Sequence, residues 1–214
     1  MEIIELLPAR VHVTSVLKKA MLAGEYRGGE ELNIQQISER LGVSRTPVRE
    51  AFQILANEGL IQLRMNRRAV VNRIDEKFIN DHYSMRILLE TEAAGLAAER
   101  GMDAASLLER LDELGGRIET VECAEYVRLN QDIHLGIWRA ADNGTLFRLL
   151  SSLWNGPSTG AVNSEIEHFR LSTVEHINIL SSIARRDSDS ARRCMRGHLL
   201  RSRDNMLRSF ANKV

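Results

Sequence analysis

Proline is scarce in this chain. Pro8, Pro47 and Pro157 are the full set among 214 residues. So few breakers favour long helices. Cysteine is scarcer still, with only Cys123 and Cys194, and their separation matches no metal-type spacing. They are expected to be two reduced, incidental thiols that serve as small buried hydrophobes in a cytosolic protein. Net charge is absent, with 29 basic residues against 29 acidic ones. No apolar stretch approaches the length needed to span a bilayer. The opening MEIIELLPAR carries acidic residues and no long apolar run, which is not the pattern of a signal peptide. A cytoplasmic location, away from membranes, is the expectation.

What is present suits a folded protein of two domains. Hydrophobic residues make up 43% of the chain, enough for packed cores, and charge is abundant but balanced. The zero net charge hides a local excess. Between Arg40 and Arg73 lie Arg40, Arg45, Arg49, Arg64, Arg67, Arg68 and Arg73, opposed only by Glu50 and Glu58. A local basic surface inside a neutral whole is what phosphate binding requires.

Apolar spacing predicts a helix from Ala9 to Ala23, through Val13, Val16, Leu17, Ala20 and Met21. Gly24, Gly28 and Gly29 follow it. Asn33 then precedes Ile34, Ile37 and Leu41, a short Asn-capped helix ending at Gly42. Ser44 is expected to cap the next helix, which buries Val48, Ala51, Phe52 and Leu55 and tolerates Pro47 in its first turn. Gly59 closes it. Leu60 to Leu63 and Ala69 to Val71 read as two strands around a basic turn, Arg64 to Arg68. Helices, a tight turn, a further helix and a hairpin make a winged helix-turn-helix. From Asp75 onward the pattern is helical. One helix passes through Met85, Leu88, Leu89, Glu92, Ala93 and Leu96 to Gly101. A second carries Leu107, Leu108, Leu111 and Leu114, and a third spans about Ala124 to Ala141. A fourth runs from Asn143-Gly144 to Asn155-Gly156-Pro157. The fifth covers roughly Asn163 to Arg185, and the sixth, capped by Asp187, ends near Asn212. The predicted fold class is mainly α: a DNA-binding domain over residues 1–72, then a six-helix antiparallel bundle over 73–214.

The run GVSRTPVREAFQILANEGLI, Gly42 to Ile61, has polar side chains at its N-terminal end and an apolar seam behind. Arg presents a bidentate donor pair to guanine, and Thr contacts phosphate or a thymine methyl. From the pattern alone, a capped surface helix with solvated arginines is the competing interpretation. The run closely resembles the turn and third helix of GntR-type regulators, and LNIQQISERLGV is similar to that family's second helix. The resemblance spans Val11 to Arg73. It implies that Arg45, Thr46 and Arg49 grip or read an operator, with Ser44 near a phosphate and Arg40 close to the backbone. Many relatives have a Gly-rich wing tip. Here Asn66, Arg67 and Arg68 stand instead, a basic wing suited to phosphate or the minor groove.

Of the six histidines, His134, His176 and His198 fall on three different bundle helices. Imidazoles meeting inside a bundle make a site for Zn²⁺, Ni²⁺ or a similar ion. The alternative is a metal-free pocket that holds an anion. The segments RILLETEAAGLAAER, NQDIHLGIWRAADN and EHINILSSIARRDSDSARRCMRGHL resemble the FCD effector domain of the FadR branch, over about Asp75 to Arg208. In that family a carboxylate and three histidines commonly hold a divalent metal. The histidines match, but the carboxylate position is Asn130; Asp132 is expected on another face of the helix. Arg86 matches a position that points into the effector cavity in similar domains, where its planar fork would meet a carboxylate. A helix ion pair with Glu90 is the competing role for it. The arginines from Arg185 to Arg208 read as a solvated face.

The resemblance implies a metabolite-responsive regulator, similar in length and helix count to shorter VanR-like members. Its expected partners are an operator in double-stranded DNA, a second copy of itself, and a small organic or sugar acid held at the metal site. The rivals are a dedicated metal sensor and a metal-dependent enzyme on the helical domain. No general base stands in helical register with the histidines, which argues against the enzyme.

Overall fold

The computed structural model describes residues 9–22, 24–65, 68–73, 75–154 and 165–211. The chain divides into two compact units between Glu76 and Lys77.

The first unit contains α1 (Ala9–Leu22), β1 (Glu31–Asn33), α2 (Ile34–Leu41), α3 (Arg45–Asn57), β2 (Ile61–Arg64) and β3 (Arg68–Val71). Asn33 caps α2 as expected, its side chain accepting from the Gln35 N–H at 2.7 Å. Gly42 ends α2 in the left-handed region at φ 64°. That conformation favours glycine and lets the chain turn sharply into α3. Ser44 departs from expectation. Its backbone is extended at the cap position, but its side chain makes no cap hydrogen bond. The expected two-stranded wing also gains a strand. β1 joins the hairpin to give an antiparallel sheet of order β1-β3-β2, with Leu32 opposite Ala69 and Ile61 opposite Val71. A three-residue run is too short to announce itself by alternation, and pairing with β3 is what makes it a strand. Val13, Leu17, Met21, Val48, Phe52, Leu55 and Leu60 are buried. Each such large side chain contributes about 1.5–3 kcal/mol.

The second unit is helical: α4 (Glu76–Glu99), α5 (Ala105–Gly116), α6 (Cys123–Ala140), α7 (Gly144–Leu153), α8 (Glu165–Ala184) and α9 (Ser188–Ala211). The expected stop at Asn155-Gly156-Pro157 and the start at Asn163 lie outside the described residues. Asp187 accepts from the Ser190 N–H at 2.9 Å, the expected cap of α9. Side-chain pairs fix the helix directions. Glu90 meets His134, and Tyr126 meets Phe169 while His134 meets His176. Glu175 meets His198, and Arg201 meets His168. Hence α8 and α9 run antiparallel, while α6 and α8 share a direction, as alternate helices of an up-down bundle do.

Three details go beyond or differ from the sequence pattern. On α4 the buried face carries Ile79, Tyr83, Arg86, Ile87, Glu90, Ala94 and Ala97, whereas Met85 and Leu88 are exposed. The inner face of α4 is therefore partly charged. On α9 the arginines are not uniformly solvated. Arg192 reaches Glu92 and Glu99 on α4, and Gly95 leaves it room, since a Cβ there would lie 2.3 Å from the guanidinium carbon. Arg201 turns inward onto Glu175. Cys123 is exposed and Cys194 half-buried, so neither is a core hydrophobe.

Candidate functional site

In the first unit α3 presents Ser44, Arg45, Thr46 and Arg49 to solvent from its N-terminal end, while Val48, Ala51, Phe52 and Leu55 face inward. The helix is fastened from behind by an ion pair that the sequence pattern did not reveal. Lys18 of α1 is fully buried, and its Nζ lies 2.7 Å from Glu58 Oε2 just past α3. Burial pushes the Glu58 carboxyl above its ordinary range, against the pull of Lys18. Arg40 is exposed and donates to the Tyr26 hydroxyl at 3.2 Å. Arg68 is exposed too, but it pairs with Glu31 across the sheet at 2.8 Å. An exposed pair of this kind is worth at most about 1 kcal/mol and yields readily to a phosphate. Arg67 lies outside the described residues.

In the second unit α6, α8 and α9 bring His134, His176 and His198 together. All three are buried, and one nitrogen from each lies within 4.8 Å of the others. Two of them have an outer nitrogen held by a carboxylate. His134 Nδ1 is 2.7 Å from Glu90 Oε2, and His198 Nδ1 is 2.7 Å from Glu175 Oε2. A carboxylate accepting from Nδ1–H fixes the tautomer that leaves Nε2 as a bare lone pair. His176 Nε2 is buried and has no hydrogen-bond partner. An orphaned buried nitrogen among two imidazoles of fixed tautomer is a donor set that fits a divalent metal.

The carboxylates are themselves paired. Arg86 Nε donates to Glu90 Oε1 at 2.8 Å, and the Trp138 indole donates to Glu90 Oε2 at 3.3 Å. Arg201 donates to both oxygens of Glu175. Burial would raise both carboxyls. Arg86 and His134 outweigh it at Glu90, and His198 and Arg201 at Glu175, bringing each down to about 2. Carboxylates so acidic are poor general bases. Burial drives His176 well below its ordinary value, helped by His198 and His134. Burial likewise lowers His198, against the opposing pull of Glu175. His176 and His198 thus keep at neutral pH the lone pairs a metal needs. Trp154 packs against His134 with ring centroids 5.1 Å apart, and the Arg86 guanidinium lies over Trp154 at 5.4 Å.

Asn130 is buried on α6, one turn before His134. Asp132 is exposed and pairs with Arg110 at 2.7 Å, away from the histidines. Glu90 enters the site as the ion-pair partner of Arg86, the competing role weighed for that arginine, while Glu175, Arg201, Trp138 and Trp154 complete the site without having been singled out by the sequence pattern. Spacing held a signal for some of them: Glu175 adjoins His176, Arg201 is three residues past His198, and Glu90 interrupts an apolar helical face.

Comparison with known proteins agrees with both units. The family model for the FCD domain matches residues 81–201, and that for the bacterial regulatory proteins of the gntR family matches residues 10–71. The chain is 28% identical to the Nta operon transcriptional regulator of Aminobacter aminovorans, over 88% of this chain and 90% of that protein. It is 26% identical to the transcriptional repressor RspR of Escherichia coli, over 90% of this chain and 86% of the repressor. The solved structure of E. coli McbR/YncC has the same fold, with a TM-score of 0.73 at 21% identity, over 96% of this chain and all of that one. These relatives are regulators rather than enzymes. Among the described residues no helix is long and apolar enough to cross a membrane. The chain belongs to the GntR family: it is a DNA-binding transcription regulator whose winged helix-turn-helix is followed by an FCD domain of the FadR subfamily.

Proposed function

We propose that this regulator senses a small organic or sugar acid at its histidine cluster and binds a roughly palindromic operator as a cytoplasmic homodimer. Residues 1–72 read the DNA and residues 73–214 hold the acid and the dimer contact. The observation that carries the sensing role is the convergence of three buried imidazoles, with His176 Nε2 left unpartnered.

His134, His176 and His198 would hold a divalent ion, Zn²⁺ or Ni²⁺ by their nitrogen donors. When bound, the ion supplies a positive Lewis-acidic centre that attracts a carboxylate oxygen. Glu90 and Glu175 turn two of the imidazoles inward, and the buried rings of Trp138 and Trp154 pack beside His134. Arg86 and Asn130 are the side chains we assign to the acid. Arg45, Thr46 and Arg49 enter the major groove. Ser44, Arg40, Arg67 and Arg68 meet the phosphate backbone or the minor groove. A twofold operator calls for a twofold protein. The six helices of the bundle resemble the shorter VanR-like members.

Titrating operator affinity against Zn²⁺ or Ni²⁺ alone, and then against carboxylic acids in its presence, tests this. A shift that needs an acid supports the proposal. A shift produced fully by metal alone makes the protein a dedicated metal sensor. No response to either overturns the sensing role.

A further inference from the structure

The charges around the histidines close in a particular way. Glu90 is matched by Arg86, and Glu175 by Arg201. Each of these pairs is neutral as a unit, so neither offers a spare negative charge to the cluster. The three imidazoles bind a metal in their neutral form. Asn130, buried one turn before His134, is neutral as well. A divalent cation at this position would therefore bring two positive charges that the surrounding side chains leave uncompensated. In a buried site such an excess is strongly disfavoured unless an anion enters with it.

We propose that the acid completing this site is a dicarboxylate, its two negative charges matching the two positive charges of the ion. This rests on the metal-dependent sensing proposed above and specifies the charge of the ligand. A monocarboxylate leaves one positive charge unmatched, and a tricarboxylate adds one negative charge too many. Three imidazoles leave coordination positions open on the ion, which two carboxylate oxygens of one molecule would fill. The Asn130 amide adds N–H donors that a carboxylate accepts, where an aspartate would repel it. Trp138 and Trp154, both buried, pack edge to face beside the cluster with ring centroids 5.5 Å apart, and low-polarity walls strengthen the charge matching.

The test uses the full-length chain loaded with zinc, with zinc content measured before and after. Butyrate, malonate, succinate, glutarate and propane-1,2,3-tricarboxylate are titrated while tryptophan fluorescence is followed. The two tryptophans of the chain are Trp138 and Trp154, so the signal comes from the site. The best dicarboxylate should bind about 10-fold or more tightly than butyrate or the tricarboxylate. In Asn130→Asp, which supplies one of the two charges, the preference should move toward butyrate. Equal affinity for butyrate and every dicarboxylate, at full zinc occupancy, overturns this proposal and leaves the metal site standing. Failure to take up zinc removes both. If Asn130→Asp does not fold, the wild-type series alone decides.

Discussion

Arg86 Nε lies 2.8 Å from Glu90 Oε1, one turn further along α4, with both side chains buried. The second oxygen of the same carboxylate holds His134 Nδ1 at 2.7 Å. One acid thus joins the guanidinium of α4 to an imidazole of α6. Removing Arg86 leaves the buried Glu90 carboxylate with only His134 and Trp138 as partners. Arg86→Ala should therefore cost about 3–5 kcal/mol of stability. Urea unfolding followed by tryptophan fluorescence checks this. An unchanged midpoint would show that the pair carries no structural load.

The buried acids and imidazoles set the acid sensitivity of the metal-free protein. Glu90 and Glu175 fall from an ordinary 4.5 to about 2, so their stabilisation is complete above pH 4.5 and is lost as pH falls toward 2. His176 and His198 lie below their ordinary 6.5, so their contribution is present above that value and declines as they are forced to protonate. Stability should decline from about pH 6.5 downward and continue to fall below 4.5. His176→Phe should flatten the upper part of that decline and Glu175→Gln the lower part. Thermal melts across pH 2–8 measure both. A wild-type curve flat from 7 to 5 would rule out the histidine contribution.

The sequence made some of this architecture legible and hid the rest for identifiable reasons. Periodicity located the long helices because apolar residues recur at helical spacing, and Gly42 marked a turn that needs a positive φ. It did not show which face of α4 turns inward, because Arg86 and Glu90 occupy that face and a hydrophobic pattern passes over charges. β1 was invisible because three residues have no period of their own. The three histidines were found since their type is rare and metal-suited. Glu90 was anticipated only as the partner of Arg86 and Glu175 not at all, because surface glutamates are common and only the tertiary contact ties these two to the histidines. Lys18 was missed for the same reason: nothing in its local sequence shows that Glu58 waits opposite it.

On the DNA side, Arg45 and Arg49 are exposed at the start of α3, and neither is ion-paired among the described residues. Arg45→Ala and Arg49→Ala should each weaken operator binding by about 1–3 kcal/mol through lost base contacts. Arg68→Ala breaks only an exposed pair with Glu31. It should weaken operator and random DNA alike and reduce the salt slope by about one unit. Gel-shift titrations at several salt concentrations distinguish the two kinds of loss. Full operator affinity in both α3 variants would remove α3 as the reading helix.

Assembly follows from the operator. A single winged helix-turn-helix covers one half-site, so two copies are needed for a twofold sequence. Sedimentation at micromolar concentration should give a dimer, and stoichiometric titration should give two chains per operator. A monomer in solution that saturates the operator with one chain would contradict this.

The histidine cluster yields the prediction with the widest consequences. His134, His176 and His198 share one buried position, and each offers one nitrogen to it. Removing any of them, as in His176→Ala, should cut zinc or nickel content measured by elemental analysis. It should weaken the response to acid in parallel, while operator affinity of the acid-free protein is retained. Glu175→Gln removes a negative charge from behind His198 without touching the cluster, since Glu175 binds the outer nitrogen. Its metal affinity should fall by about 10–100-fold, the range for lost outer hydrogen bonds to a ligand imidazole. Asn130→Asp should move affinity the other way, because it adds a charged oxygen one turn from His134. The opposite signs expected from two carboxyl-amide exchanges near one ion separate a metal site from a packed histidine core. Were both variants to bind zinc as the wild type does, or were all three proteins to hold none, the cluster would be a structural contact only.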